Sequence, residues 1–167
     1  HMIYSDSVRM GGDHVTSDIS KGLQIPLAVA ERIKTRHGGL YATGMDDREM
    51  IDIGGDSGDW EKDRRQISRT ELIGIMRPRV EEILEEVRAT LDAAGFDTLP
   101  SQQIVLTGGA SQIPGLDGIA TRVLGQRVRN TGRHHEGSAQ RQGPYRHQAG
   151  QAARDRGKVR LHVADFG

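Results

Sequence analysis

Three groups of residues in this chain of 167 have types and spacings that could do chemistry. Glu31 and Lys34 lie three apart in a segment of helical pattern, so a carboxylate and an ammonium share one helical face. The carboxylate can accept from hydroxyls or an exocyclic amine, and the lysine stem can lie beside a flat ring. The same spacing also describes an ordinary solvated ion pair. Gly108 and Gly109 follow directly on the apolar run Ile104-Val105-Leu106 and Thr107. Without Cβ atoms they let backbone approach a ligand and take up positive φ, though a plain tight turn has the same appearance. Arg64, Arg65, Arg69, Arg77 and Arg79 form a basic cluster, with Glu61 and Asp63 among them. Guanidinium groups pair bidentately with carboxylates, and they also serve as a solvated charged face.

Other chemistry is harder to assemble. Asp52-Ile53-Gly54-Gly55-Asp56-Ser57-Gly58-Asp59 is acidic and glycine-rich but lacks the spacing of a calcium loop. It reads as a surface loop. His134, His135 and His147 have no metal-ligand spacing, and no metal site is expected. The absence of cysteine excludes disulfides and thiolate metal sites.

The elements that would hold these groups follow from periodicity. Ile3 to Met10 alternates as a short strand ending at Gly11-Gly12, and Asp13 is placed to cap a helix over Val15 to Leu23. Pro26 suits the first position of a helix running to His37, stopped by Gly38-Gly39. Met50 to Ile53 suggests a strand. Ser68 and Glu71 fit a capping box ahead of the strongest amphipathic pattern, through Leu72, Met76, Val80, Ile83, Val87 and Leu91. Pro78 inside it predicts a kink or two near-continuous helices. Ile104 to Leu106 reads as a buried parallel strand, and Leu116 to Leu124 as a helix. In open parallel sheets ligands sit beyond the carboxyl ends of strands, where Gly108-Gly109 falls.

Composition bounds the function. Net charge is zero, so no global field favours nucleic acid. Hydrophobic residues make up 35% and aromatics 4%, and the deficit is concentrated beyond Val128. Arg129 to Arg156 is an Arg/Gln/His/Gly mixture that cannot bury enough apolar area to offset chain entropy. Only Val159, Leu161 and Val163 alternate there, as one marginal strand. The tail also lacks the interleaved aromatics of a nucleic-acid stacking platform. No apolar run approaches the ~20 residues that span a bilayer. His1-Met2 reads as a remnant of tag removal, so the chain is expected to be a piece of a longer protein.

Three segments together resemble the FtsA family of bacterial division proteins. They are Tyr4-Ser5-Asp6-Ser7-Val8 with Gly11-Gly12-Asp13-His14-Val15-Thr16-Ser17-Asp18-Ile19, then Ala30-Glu31-Arg32-Ile33-Lys34, then Ile67-Ser68-Arg69 leading to Arg77-Pro78-Arg79-Val80-Glu81-Glu82-Ile83-Leu84. The Ile104 to Leu116 stretch is similar to the segment that actin-like ATPases set beside adenosine. The resemblance implies an α/β, actin-like (ribonuclease H-like) second-domain fragment over residues 3–128. It would have a mixed sheet, flanking helices and, over 129–167, a poorly structured, divergent or frameshifted tail.

It further implies that Gly108, Gly109, Glu31 and Lys34 contact the adenosine, with Gly11 and Gly12 at the cleft edge. Arg65, Arg69, Arg77 and Arg79 would receive the acidic, hydrophobic C-terminal tail of the tubulin-like GTPase FtsZ. The full protein would bind ATP with Mg²⁺, assemble into actin-like filaments and attach the division ring to the inner face of the bacterial cell membrane. Asp52 to Asp59 looks like the superfamily's phosphate turn, but it follows the Glu31/Lys34 helix instead of preceding Tyr4, and Asp56 would repel phosphate. The chain is therefore expected to bind nucleotide weakly or not at all alone, to have no catalytic residue, and to make no direct membrane contact. Competing readings are a nucleotide-binding module of another actin-like ATPase, such as a shape-determining filament, chaperone or pilus-assembly protein, and a structural piece with no ligand.

Overall fold

The computed structural model describes residues 2–54, 65–96, 103–130 and 159–164. In order these form β1 (Met2–Val8), α1 (Gly12–Leu23), α2 (Leu27–His37), β2 (Met50–Asp52), β3 (Gln66–Ser68), α3 (Arg69–Ala93), β4 (Gln103–Leu106), a 3₁₀ turn (Gly109–Gln112), α4 (Leu116–Leu124), β5 (Arg127–Asn130) and β6 (Val159–Ala164). Arg64, most of the acidic loop at 52–59, and the histidines at 134, 135 and 147 lie outside the described residues, as does most of the tail.

Helix α1 begins earlier than the Asp13 cap predicts. Gly11 is the N-cap, its N–H donating to Nδ1 of His14 at 3.2 Å while His14 N–H donates to the Gly11 carbonyl at 3.0 Å. Asp13 falls in the first turn, where its charge suits the helix dipole. Helix α2 takes Pro26 as N-cap, one residue before the expected position, and Ala30 N–H donates to the Pro26 carbonyl. The Ser68 half of the predicted capping box forms, with Oγ accepting from Glu71 N–H at 3.2 Å.

Helix α3 runs unbroken for 25 residues through Pro78, so the expected division into two does not occur. The carbonyl that loses its partner to Pro78 is that of Gly74, four residues earlier. Both residues are exposed, and water can replace the missing N–H.

One core joins all four helices. Val15 and Ile19 of α1, Ile33 of α2, Ile51 of β2, Leu72 and Met76 of α3 and Ile119 of α4 are almost wholly buried, with Leu40 from the loop after α2. The strands pair in three two-stranded sheets among the described residues: β1 with β6 and β2 with β3 antiparallel, β4 with β5 parallel. The marginal strand of the tail is thus β6, set against β1 from Met2 to Val8. Strand β4 is parallel as predicted, with α4 as its crossover to β5, but it is not buried on both faces. Val105 is 43% exposed.

The loop after α2 is fastened to the start of α4. Leu40 N–H donates to the Pro114 carbonyl at 3.1 Å, and the Tyr41 ring lies against Gly115 and Gly118. Gly115 has φ of +89°, and a Cβ there would stand 2.6 Å from Tyr41 Cδ2. Gly115→Ala is therefore expected to cost about 2 kcal/mol, from the left-handed backbone and the ring contact together. Gly74→Ala, on the open face of α3 with nothing within 4 Å, should instead add roughly 0.5–1 kcal/mol. Urea unfolding midpoints measure both, and equal midpoints for the two variants would contradict this packing.

Candidate functional site

Helix α1 brings the first group of candidate residues together at its amino end. Lys34, on α2, is buried, and its ammonium has three acceptors: the Gly12 carbonyl at 3.2 Å, Thr16 Oγ1 at 2.7 Å and Glu31 Oε2 at 2.6 Å. Thr16 Oγ1 also lies 2.5 Å from Glu31 Oε2, so its hydroxyl accepts from Lys34 and donates to Glu31. All three ammonium donors are used inside the protein. Outward from this corner stand the Glu31 side chain, 52% exposed, and the ends of α1 and α2.

The glycine turn meets the same corner. A Cβ on Gly12 would stand 3.3 Å from Cβ of Ala110 and 3.7 Å from Lys34 Nζ. Gly12, Glu31, Lys34 and the segment after Gly109 therefore converge, with Gly11 next in the chain. Gly108 has φ of +95°, and its carbonyl accepts from Ser111 N–H at 3.1 Å and Ser111 Oγ at 2.7 Å. Asn130 Nδ2 donates to the Ser111 carbonyl, tying the turn to β5. Gly108 and Gly109 are exposed, with open space where side chains would be. The turn is braced from behind and bare in front.

The four described arginines of the basic cluster are not on one surface. Residues 77 and 79 are about 200° apart around a helix, and their partners differ accordingly. Arg79 reaches α1, with Nε 2.6 Å from Asp18 Oδ2 and Nη2 3.3 Å from Oδ1, and Nη1 meets Glu82 at 2.5 Å. The hydrogen bond to Asp18 raises the Arg79 pKa above its usual value, against the opposing effect of partial burial. Arg65 also reaches α1, donating from Nη2 to the Leu23 carbonyl at 2.9 Å. Arg77 turns the other way, 3.1 Å from Glu81 Oε1 and 5.7 Å from the Tyr41 ring centre. Glu81 also takes Arg122 of α4 at 2.5 Å. Arg69 secures the loop after α2 through Glu49 at 3.1 Å and Asp46 at 3.5 Å. The Thr43 amide, then the Thr43 hydroxyl and last the Arg69 charge hold the Asp46 carboxyl below its ordinary range.

The structure thus groups Arg65 with Arg79 along α1 and separates Arg69 and Arg77 from them. Between the two reach points Gly22 packs on Ile75, a Cβ there standing 3.3 Å from Ile75 Cδ1. Thr16 and Asp18 are the residues that sequence reasoning missed, because their roles depend on helices 15 and 61 residues away. A concavity of about 500 Å³ between β1 and the end of α3 is lined by Asp6, Glu86, Ala89, Thr90, Ala93 and Ala94. It contains none of the candidate residues.

Similarity to known proteins gives first the class and then the family. The chain superposes on MreB 5 of Spiroplasma citri, solved bound to AMPPNP, with a TM-score of 0.57 over 74% of this chain and 39% of that one, at 19% identity. Its fold is actin-like. The family model for "Cell division protein FtsA" matches residues 1–145. FtsA of Agrobacterium fabrum is 40% identical over 128 residues, 77% of this chain and 29% of its own length. FtsA of Bacillus subtilis is 33% identical over 129 residues, 77% of this chain and 28% of its own length. The chain belongs to the FtsA family of cell division proteins, and it spans under a third of the length of these curated relatives.

Two outcomes check the geometry. Lys34→Met keeps the stem and removes the ammonium, taking from Thr16, Glu31 and the Gly12 carbonyl the charged donor they share. It should destabilise the chain by about 1–3 kcal/mol in urea unfolding, and an unchanged midpoint would mean that the network contributes nothing. Hydrogen bonding by Arg77, and then Arg122, holds Glu81 below its usual 4.5 against partial desolvation. A carboxyl lowered in the folded state stabilises fully above the unfolded value and loses that effect as pH falls through the folded one. Glu81→Gln should therefore lose about 0.5–1 kcal/mol at pH 7, with the deficit closing in acid below the usual 4.5. A deficit independent of pH would exclude this origin.

Proposed function

We propose that this chain is the part of an FtsA-family actin-like protein that receives the C-terminal tail of FtsZ between α1 and α3, beside the adenosine side of the nucleotide cleft. The observation that carries the docking half is the placement of Arg65 and Arg79 against one helix. Their contact points, Leu23 and Asp18, are five residues apart, or about 7.5 Å along α1. Two guanidinium groups brought to one helix beside the partly exposed Ile75 offer charge partners and apolar surface to a peptide that alternates acidic and apolar residues. Arg69 and Arg77, engaged on other sides, act in holding the fold around this groove.

The nucleotide half rests on the bare Gly108-Gly109 turn and on Glu31, whose carboxylate suits ribose hydroxyls or an exocyclic amine. Lys34 contributes its stem and holds Glu31 in place, its ammonium being turned inward. In the whole protein an adenine nucleotide with Mg²⁺ would supply a ligand whose state controls filament assembly, and the assembled protein would link FtsZ to the membrane.

Titration of the whole chain with a synthetic FtsZ tail peptide tests the docking half by fluorescence anisotropy. Affinity is expected in the micromolar range, about −8 kcal/mol, weakening as salt rises. Arg65→Glu and Arg79→Glu should each lower it about tenfold or more, while Arg77→Glu, on the opposite side of α3, should change it little. Equal losses from all three would indicate general electrostatics and reject the α1–α3 groove.

A further inference from the structure

The two groove arginines are not equally available. Arg65 is set on a neutral backbone carbonyl, that of Leu23. Arg79 is already occupied by a carboxylate in the two-pronged arrangement that arginine uses for acidic ligands, Nε and Nη2 against the two oxygens of Asp18. A third donor, Nη1, is on Glu82. The Arg79–Asp18 pair is neither sealed nor free: the two side chains are 26% and 27% exposed, so solvent and an incoming group can reach them. Asp18 stands on α1 next to Ile19, which is wholly buried, so the backbone that carries its carboxylate is held in place.

We propose that Asp18 is an internal competitor at Arg79, a built-in stand-in for a ligand carboxylate that limits how tightly the α1–α3 groove holds an acidic peptide. This rests on the docking reading of that groove. A peptide acid arriving at Arg65 gains a charge partner, because a carboxylate takes the place of an uncharged oxygen. One arriving at Arg79 exchanges one carboxylate for another and leaves Asp18 without its partner. The groove thereby discriminates in favour of peptides acidic enough to outcompete Asp18 and keeps a weakly acidic segment from lodging there. Asp18 is a positioning and selectivity residue, acting through Arg79 and making no ligand contact of its own.

The test uses the whole chain and the same synthetic acidic peptide. Asp18→Asn replaces one acceptor oxygen by an amide that turns N–H toward the guanidinium, and should strengthen binding about two- to fivefold, the range of a partly exposed ion pair. Glu86→Gln removes the same charge two turns further along α3, where nothing among the described contacts links it to Arg79, and should strengthen binding distinctly less. In an Arg79→Gln background the gain from Asp18→Asn should vanish. Should Asp18→Asn alter the melting curve, Asp18→Ser provides the same comparison with a smaller polar side chain. Equal gains from Asp18→Asn and Glu86→Gln, or a gain that survives without Arg79, would overturn the proposal. If the wild-type chain binds the peptide and loses it on Arg79→Glu while Asp18→Asn gains nothing, Asp18 is no competitor but the docking reading stands. If neither the wild type nor Asp18→Asn binds, both fall together.

Discussion

An ammonium group taken out of water must be given acceptors for its three donors, and the arrangement around Lys34 is organised by that demand. Its acceptors come from the first turn of α1, from the next turn of α1 and from α2 itself. Any one missing would leave a charge poorly solvated at a cost of several kcal/mol. The amino end of α1 is consequently held at one distance and one rotation from α2. Gly12 suits that place because a Cβ would crowd Ala110, 3.3 Å away, and touch Lys34 Nζ at 3.7 Å. Through Ala110 the constraint passes to the glycine turn, and through Ser111 and Asn130 to β5. One buried charge thus sets the relation of α1, α2 and the β4–α4 unit.

The other end of α1 is set by a different chemistry. Here the groups are charged but partly wet, and each arginine already has an acceptor: Asp18 and Glu82 for Arg79, Leu23 for Arg65. Such pairs contribute little individually to stability, because solvent and salt compete for both partners. That weakness is what makes them exchangeable. A ligand carboxylate can replace an internal one at small net cost, whereas none could replace the acceptors of Lys34 without undoing the fold.

Much of the local structure was legible in the sequence, because it depends on signals a few residues apart. The 3.6-residue recurrence of apolar positions gave all four helices, and Gly38-Gly39 marked an end that the fold respects. The strand, glycine turn and helix from Ile104 to Leu124 were readable for the same reason. The rotation of 100° per residue even held the separation of Arg77 from Arg79, which their nearness in sequence obscures. Pro78 was expected to kink or divide the helix, and the division does not occur: the Gly74 carbonyl it orphans is exposed and can reach water, and exposure is a tertiary property. Val105 was taken for a buried position since an apolar run does not say how many faces of its strand are covered. No periodicity or capping signal singles out Thr16, Asp18 or Tyr41. Their meaning lies in partners from other elements: Lys34, Arg79 and Gly115.

Thr16 and Asp18 are two residues apart on one helix, one bonded into the buried ammonium network and the other into the exchangeable ion pair. A helix with Val15 and Ile19 buried beside them cannot rotate one of these residues and leave the other in place. A group drawing on Glu31 from outside pulls on the hydroxyl of Thr16, and a carboxylate entering at Arg79 releases Asp18. Both therefore act on the same short length of backbone. The rigid end of α1 fixes where that length sits, and the wet end leaves its last contact open to competition. The geometry of one twelve-residue helix is enough to make the Lys34 network and the Arg79–Asp18 pair neighbours in mechanics as well as in space.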